Sequence, residues 1–191
     1  MDDIVKAALA KWPNVPHCTG WLRLDRRGNW RMRDEADQKA GRPGSTLRHA
    51  ALIGFINRNY QSDDAGRWYF QNGPQRVYVE LEYTPWIVRL VESGGGLQAS
   101  EQTGAKFVPV RCLADDAGGV LLVDAARRVA AVHDHDLDLL VDHALSGADG
   151  AISAVRWHQD AELPVEPVAR TAVAGLFHFI PSPAAEPPFE P

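Results

Sequence analysis

The stretch Gly66-Arg67-Trp68-Tyr69-Phe70-Gln71-Asn72-Gly73-Pro74-Gln75-Arg76-Val77-Tyr78-Val79-Glu80-Leu81-Glu82 decides the fold class. Aromatic and β-branched residues fill Arg67 to Gln71 and Arg76 to Glu82, and the turn formers Asn72 to Gln75 lie between them. This order predicts a β-hairpin. Along its second half Val77, Val79 and Leu81 alternate with Tyr78, Glu80 and Glu82, so one face is apolar and the other polar. Pro85 ends the hairpin, and Trp86 to Val91 predict a further strand.

The same order returns 52 residues later, where Gly66 to Asn72 lie over Gly118 to Asp124 and Arg76-Val77 over Arg128-Val129. Glycine, apolar strand, Asn or Asp turn, Arg-Val and apolar strand recur, although few residues are identical. Two explanations are open: an internal duplication of one structural motif, or two ordinary hairpins.

Toward the N-terminus, Asp3 to Lys11 predicts a short helix that stops before Pro13, with Ile4, Val5, Ala8 and Leu9 on one stripe. Trp21 to Leu24 and Asn29 to Arg33, joined through Asp25 to Gly28, predict another hairpin with Leu22, Leu24, Trp30 and Met32 on one face. Residues 34–44 read as a polar loop, and Ser45 or Thr46 caps a predicted helix running to about Tyr60. Toward the C-terminus, Leu137 to Leu145 predicts a helix starting near an Asp cap, and Ile152 to Trp157 a strand. Pro164 to Pro167 is expected to be extended, and Leu176 to Ile180 to form a closing strand.

Ser93-Gly94-Gly95-Gly96, followed by the polar stretch Gln98 to Gly104, reads as a linker, because glycine-rich polar chain is costly to order. Charge divides at the same place, +3 over residues 1–92 and −8 over residues 93–191. The expected organisation is therefore α+β: an N-terminal subdomain over 1–92, a linker over 93–104, a C-terminal subdomain over 105–180 and a Pro-rich tail over 181–191. Each subdomain is expected to be an antiparallel sheet of hairpins with a packed helix.

The 191 residues are 45% hydrophobic and 24% charged, which argues against a disordered chain or a coiled coil. Two cysteines, Cys18 and Cys112, are too few for a disulfide scaffold or a four-thiolate zinc site. The Met-Asp-Asp start lacks the order of a secretory signal, and no apolar run is long enough to cross a bilayer, so a cytoplasmic protein with no membrane partner is expected. A net charge of −5 argues against nucleic acid. Nucleophile-elbow, phosphate-loop and dinucleotide fingerprints are absent, so the sequence calls for no cofactor.

Two constellations could carry function. On the polar face of the first hairpin, Trp21, Arg23, Arg31 and Arg33 offer guanidinium forks beside an indole, suited to a small anionic molecule. Cross-strand pairing with Glu80 or Glu82 would satisfy the same arginines without a ligand, and that pairing is the favoured reading. The second is His133, Asp134, His135, Asp136 and Asp138, with Asp142 and His143 one turn on. Imidazole and carboxylate can hold zinc, manganese or iron, and His133, His135, Asp136 and His143 are the nominated ligands. A helix start is the favoured explanation of these acids. His49 and His178 lie among apolar residues and are expected in the core.

Trp12-Pro13-x-Val15-Pro16-x-Cys18-x-Gly20-Trp21-Leu22, Gly28-x-Trp30-Arg31-Met32, the deciding hairpin from Gly66 to Val77, and Pro164 to Arg170 together resemble an uncharacterised proteobacterial family of conserved hypothetical proteins. The hairpin, helix and hairpin order is more distantly similar to another family of unknown function, built from repeated α+β motifs, for which a part in signal transduction has been suggested. Neither resemblance implies a catalytic residue. The expected function is a non-enzymatic binding or regulatory module, possible roles including signalling, with a small anion or a protein as partner. The rivals are a metal-dependent enzyme of hydrolase type at His133 to His143 and a protein–protein interaction subunit.

Overall fold

A computed structural model describes residues 1–12, 15–148 and 150–185. The chain divides into two units, the first made of Met1–Asp25, Asn29–Tyr83 and the chain from His178, the second of Arg26–Gly28 and Thr84–Phe177.

Unit 1 contains, in chain order, α1 (Asp3–Lys11), β1 (Cys18–Leu24), β2 (Trp30–Met32), α2 (Glu35–Lys39), β3 (Ser45–Thr46), α3 (Ala50–Arg58), β4 (Tyr60–Ser62), β5 (Trp68–Asn72) and β6 (Gln75–Leu81). Its six-stranded sheet has the order β3-β2-β1-β6-β5-β4. Neighbours are antiparallel except β1 and β6, which run parallel. A parallel pair needs a long crossover, and the chain through α3 supplies it. Leu22, Leu24, Trp30, Val77, Val79 and Leu81 are buried, with Ile56 of α3 and the edge-on Phe55–Phe70 pair at 6.0 Å. Met32, expected with them, is 42% exposed. The predicted helix from Thr46 begins at Ala50 because Ser45 and Thr46 pair with Met32 and Arg31. His49 is exposed and caps that helix through Nδ1, which accepts the Leu52 N–H at 3.2 Å, so it is not a core histidine. The expected loop holds α2, capped by Asp34.

Unit 2 contains β7 (Trp86–Ser93), β8 (Gly96–Glu101), β9 (Lys106–Phe107), β10 (Pro109–Asp115), β11 (Val120–Asp124), β12 (Val129–Val132), α4 (Leu137–Asp142), β13 (Ala144–Ser146), β14 (Ile152–His158), β15 (Ala161–Val168) and α5 (Val173–Leu176). The sheet order is β13-β14-β15-β10-β11-β12-β7-β8-β9. Residues 93–104 are not a linker: Ser93 pairs with Gly96 across a two-residue turn whose glycines have φ of 60° and 76°. That is the primed turn that joins twisted strands, and Gly-Gly suits it. The division between units falls at Tyr83 and Thr84 instead. The closing segment is α5 followed by an isolated bridge of Ile180 to Arg67, rather than a strand.

The duplication is present as topology. Strands β7 to β12 lie in the order β9-β8-β7-β12-β11-β10, each standing where the strand six earlier stands in unit 1, and β7 and β12 are the parallel pair. Every other pairing within this set is antiparallel, as in unit 1. One detail of the sequence match fails. Asn72 pairs with Gln75, whereas three residues separate Asp124 from Arg128, so Gln71 opposes Arg76 while Val123 opposes Val129. A one-residue slip exchanges faces. Arg76 and Arg128 therefore do not correspond, and the sheets are mixed rather than purely antiparallel.

Four hairpin turns share one device. Asp25, Asp63, Asp115 and Asp124 each donate the backbone N–H to the carbonyl four residues on and accept that residue's N–H with the carboxylate at 2.8–2.9 Å. The buried Asp25, Asp115 and Asp124 are thus spent on turns before any chemistry is considered.

The chain from His178 completes unit 1. Ile180 N–H donates to the Gly66 carbonyl at 3.0 Å, Leu81 N–H to the Pro181 carbonyl at 2.7 Å, and Ala184 N–H to Glu80 Oε1 at 3.0 Å, while the Ser182 hydroxyl donates to Glu80 Oε2. His178 is exposed, with φ 53°. The described part of the expected tail is therefore fastened, and residues 186–191 lie outside the described residues.

Candidate functional site

The predicted arginine face is assembled and internally engaged. Arg31 Nε donates to Asp25 Oδ2 at 2.7 Å and Nη1 to the Gly44 carbonyl at 3.2 Å. Arg23 Nη2 lies 3.1 Å from Glu82 Oε2, while its buried Nε has no partner among the described residues. Arg33 binds the carbonyls of Arg42 at 3.0 Å and Gly20 at 3.4 Å. Trp21 remains 43% exposed. Of the two glutamates expected as partners, Glu82 serves Arg23, but Glu80 is taken by Ser182 and Ala184.

The polar side of the same sheet continues into a cluster that the sequence reading left unassigned. Register places Tyr69 opposite Tyr78 and Gln71 opposite Arg76, so these four share a face. Tyr78 donates its hydroxyl to Asp63 Oδ2 at 3.1 Å, and Arg67 Nε donates to the same oxygen at 2.7 Å. Arg76 stacks 4.7 Å above the Tyr69 ring. The His17 ring meets Tyr78 edge-on at 5.7 Å. Arg67 therefore pairs with the Asp63 carboxylate, Arg76 lies over the neighbouring Tyr69 ring, and an imidazole stands beside Tyr78. Burial, then Arg76 and Arg67, push the His17 pKa below the usual imidazole value. Burial raises both tyrosine hydroxyls, keeping them protonated donors. The signal in the sequence was the alternation of Tyr69 and Gln71, then Arg76 and Tyr78, within the deciding hairpin.

The second predicted set is only partly brought together. Asp136 is buried and accepts from Arg89 Nε at 2.6 Å, Arg89 Nη2 at 2.9 Å and the Leu90 N–H at 2.9 Å. His143 Nε2 lies 2.9 Å from Glu92 Oε1. Neither joins His133 and His135, so the nominated quartet is corrected: each is claimed by a partner on β7, some 50 residues away in sequence. Asp134 takes their place. His133, Asp134 and His135 offer one ligand atom each within 4.8 Å of one another. Burial and Arg89 hold the His133 pKa low, and Arg27 holds the Asp134 carboxyl below its usual range.

Cys112 is buried, and burial with Glu166 pushes its thiol up to about 12. A thiol that weakly ionised is a small hydrophobe rather than a nucleophile. In native protein at pH 8, Cys112 is expected to resist a disulfide reagent and to react fully once denaturant is added; native reaction at the rate of free cysteine would refute the assignment.

Among the described residues, no helix is long and apolar enough to cross a membrane. The DUF2944 family model, described as "Protein of unknown function (DUF2946)", matches residues 1–184. The fold is similar to that of a DUF1285 family protein from Silicibacter pomeroyi DSS-3, whose crystal structure is 18% identical, with 84% of this chain and 87% of that chain covered at a TM-score of 0.53. A DUF1285 family protein from Shewanella baltica OS155 is 15% identical, covering 67% of this chain and 92% of that one at a TM-score of 0.44. No curated protein matches.

Proposed function

The chain belongs to the DUF2944 family of proteins of unknown function, and we propose that it is a non-enzymatic binding module whose ligand is a small anion, held by Arg76 and His17 beside Tyr69 and Tyr78. One observation carries this reading. Arg23, Arg31, Arg67, Arg89 and Arg128 each have a carboxylate within 4.0 Å, whereas Arg76 has none among the described residues. Its guanidinium is nevertheless positioned, stacked over the Tyr69 ring. A positioned cation with unspent donors suits a phosphate or a carboxylate, because fork geometry matches two acceptor oxygens.

Inorganic phosphate, sulfate and small mono- and dicarboxylates are the probes. The anion that fits is expected to raise the melting temperature by mass action. Arg76→Ala should weaken it about 10- to 100-fold, the worth of a lost charge-assisted contact of about 1.5–3 kcal/mol. Binding should also lift the His17 pKa, followed by its ring-proton shifts, since a bound negative charge opposes the two arginines. A His17 titration unchanged by every anion, with no rise in melting temperature, would overturn the proposal.

A further inference from the structure

The geometry points to a binding site for one divalent transition ion of the zinc, cobalt or nickel class, formed by His133, Asp134 and His135 in unit 2. This is separate from the anion site and rests on different residues. The chain leaves β12 at Val132 and turns at once into the short 3₁₀ segment Asp134–Asp136. Alternation along a strand would have put His133 and His135 on one side two residues apart. The turn instead brings their rings edge-on at 4.9 Å and folds Asp134 in between, with His133 Nδ1 3.0 Å from Asp134 Oδ1.

Two donors that share an ion at about 2.0–2.2 Å, seen from it at roughly a right angle to a tetrahedral angle, lie about 3.0–3.5 Å apart. The His133–Asp134 separation falls in that range, while the three donors together span up to 4.8 Å, so the exposed His135 ring has to turn inward to complete the set. His133 Nδ1 also accepts the His135 N–H at 3.1 Å. That nitrogen has a single lone pair, so an ion bound there takes the place of the His135 N–H, and the nearby Asp134 oxygen supplies the second donor.

The surroundings are those of a held site. His133 is buried, and its backbone N–H donates to the Val88 carbonyl at 2.9 Å. Asp134 is oriented from behind, since Arg27 Nε and Nη2 bind its other oxygen at 3.0 and 2.7 Å. Asp134 and His135 are exposed, which leaves open positions for water or a further ligand. The carboxylates of Asp134 and Asp136 are balanced by Arg27 and Arg89, so affinity must come from imidazole nitrogen, and this selects borderline ions over magnesium or calcium.

The test uses the whole protein, stripped with chelator and titrated with Co²⁺ alone, then with Zn²⁺ as competitor. One Co²⁺ per chain should bind with visible ligand-field bands, be displaced by Zn²⁺, and be unaffected by equimolar Mg²⁺. His135→Ala, at an exposed position that should not disturb folding, is expected to weaken Co²⁺ at least tenfold, as is Asp134→Asn. His143→Ala, paired with Glu92 instead, should leave binding unchanged. Absence of ligand-field bands, or equal losses in His135→Ala and His143→Ala, would overturn the site and leave a shared proton as the only cation there.

Discussion

Gly66→Ala is expected to destabilise unit 1 by about 2–5 kcal/mol, and Gly118→Ala to cost only about 1–2 kcal/mol, although both glycines end the same tetrapeptide, Asp-Asp-Ala-Gly. Both have left-handed backbone, φ 81° and 78°, so each alanine carries the same conformational cost. They differ in what the new Cβ would meet. At Gly66 it would lie 2.2 Å from the His178 carbonyl oxygen and 3.2 Å from Phe179 Cα, whereas nothing lies within 4 Å at Gly118. Backbone cannot rotate away as a side chain can, so the segment from His178 must move off. The Leu81 amide, bonded to the Pro181 carbonyl, reports this locally. Its hydrogen-exchange protection should collapse in Gly66→Ala and persist in Gly118→Ala. Equal losses of stability in the two variants would show that backbone conformation alone matters at both turns.

The second large effect is expected at Asp136. Asp136→Ala strands the Leu90 N–H, which belongs to a residue 3% exposed, and removes both bonds to Arg89. Breaking a buried pair costs about 3–5 kcal/mol, but Arg89 is 55% exposed and water screens it, so about 2–3 kcal/mol is expected by denaturant unfolding. The effect has a pH signature. Burial pushes the Asp136 carboxyl upward, yet the Arg89 guanidinium and the Leu90 N–H outweigh it and hold the group below the usual carboxylate range. A depressed pKa in the folded state adds stability above the unfolded value of about 3.9, and that stability is lost as pH falls through the folded value. The gap between wild type and Asp136→Asn should therefore be full at pH 7 and shrink below about pH 4. A gap independent of pH would mean that the ionised carboxylate contributes nothing.

These residues also show what could be read from the chain and what could not. The deciding hairpin was legible because its alternation is local: β5 and β6 lie where the aromatic and β-branched residues put them. The glycine run was ambiguous, since Gly-Gly serves a flexible connector and a tight hairpin turn equally well. Leu97 and Ala99, buried at alternate positions of β8, were the deciding sign. The Arg-Val match between the copies misled because the two turns differ in length by one residue, which no local pattern reveals. The paired Asp-Asp-Ala-Gly tetrapeptides at 63–66 and 115–118 were the better signal. Of the candidate sites, His133 and His135 were found by composition, but the fate of Asp136 depended on Arg89 and Leu90, more than 40 positions distant. Arg76 and Tyr78 lay in the stretch that set the fold, and their meaning emerged only when register placed Tyr69 beside them.

The fastening of unit 1 by residues 178–185 bears on how the protein is made. The strands of unit 1 end at Leu81, yet the segment that holds Gly66, Glu80 and Leu81 follows about 95 residues later, after all of unit 2. At about 5–20 residues per second, a ribosome keeps the first sheet waiting roughly 5–20 s with the Leu81 amide and the Glu80 carboxylate unpartnered by this segment. Unit 2 interrupts unit 1 in sequence, so it can leave the exit tunnel whole before its predecessor is finished. The nascent chain is thus expected to close the second unit first, and a chaperone acting during synthesis would find its binding surface on the earlier half.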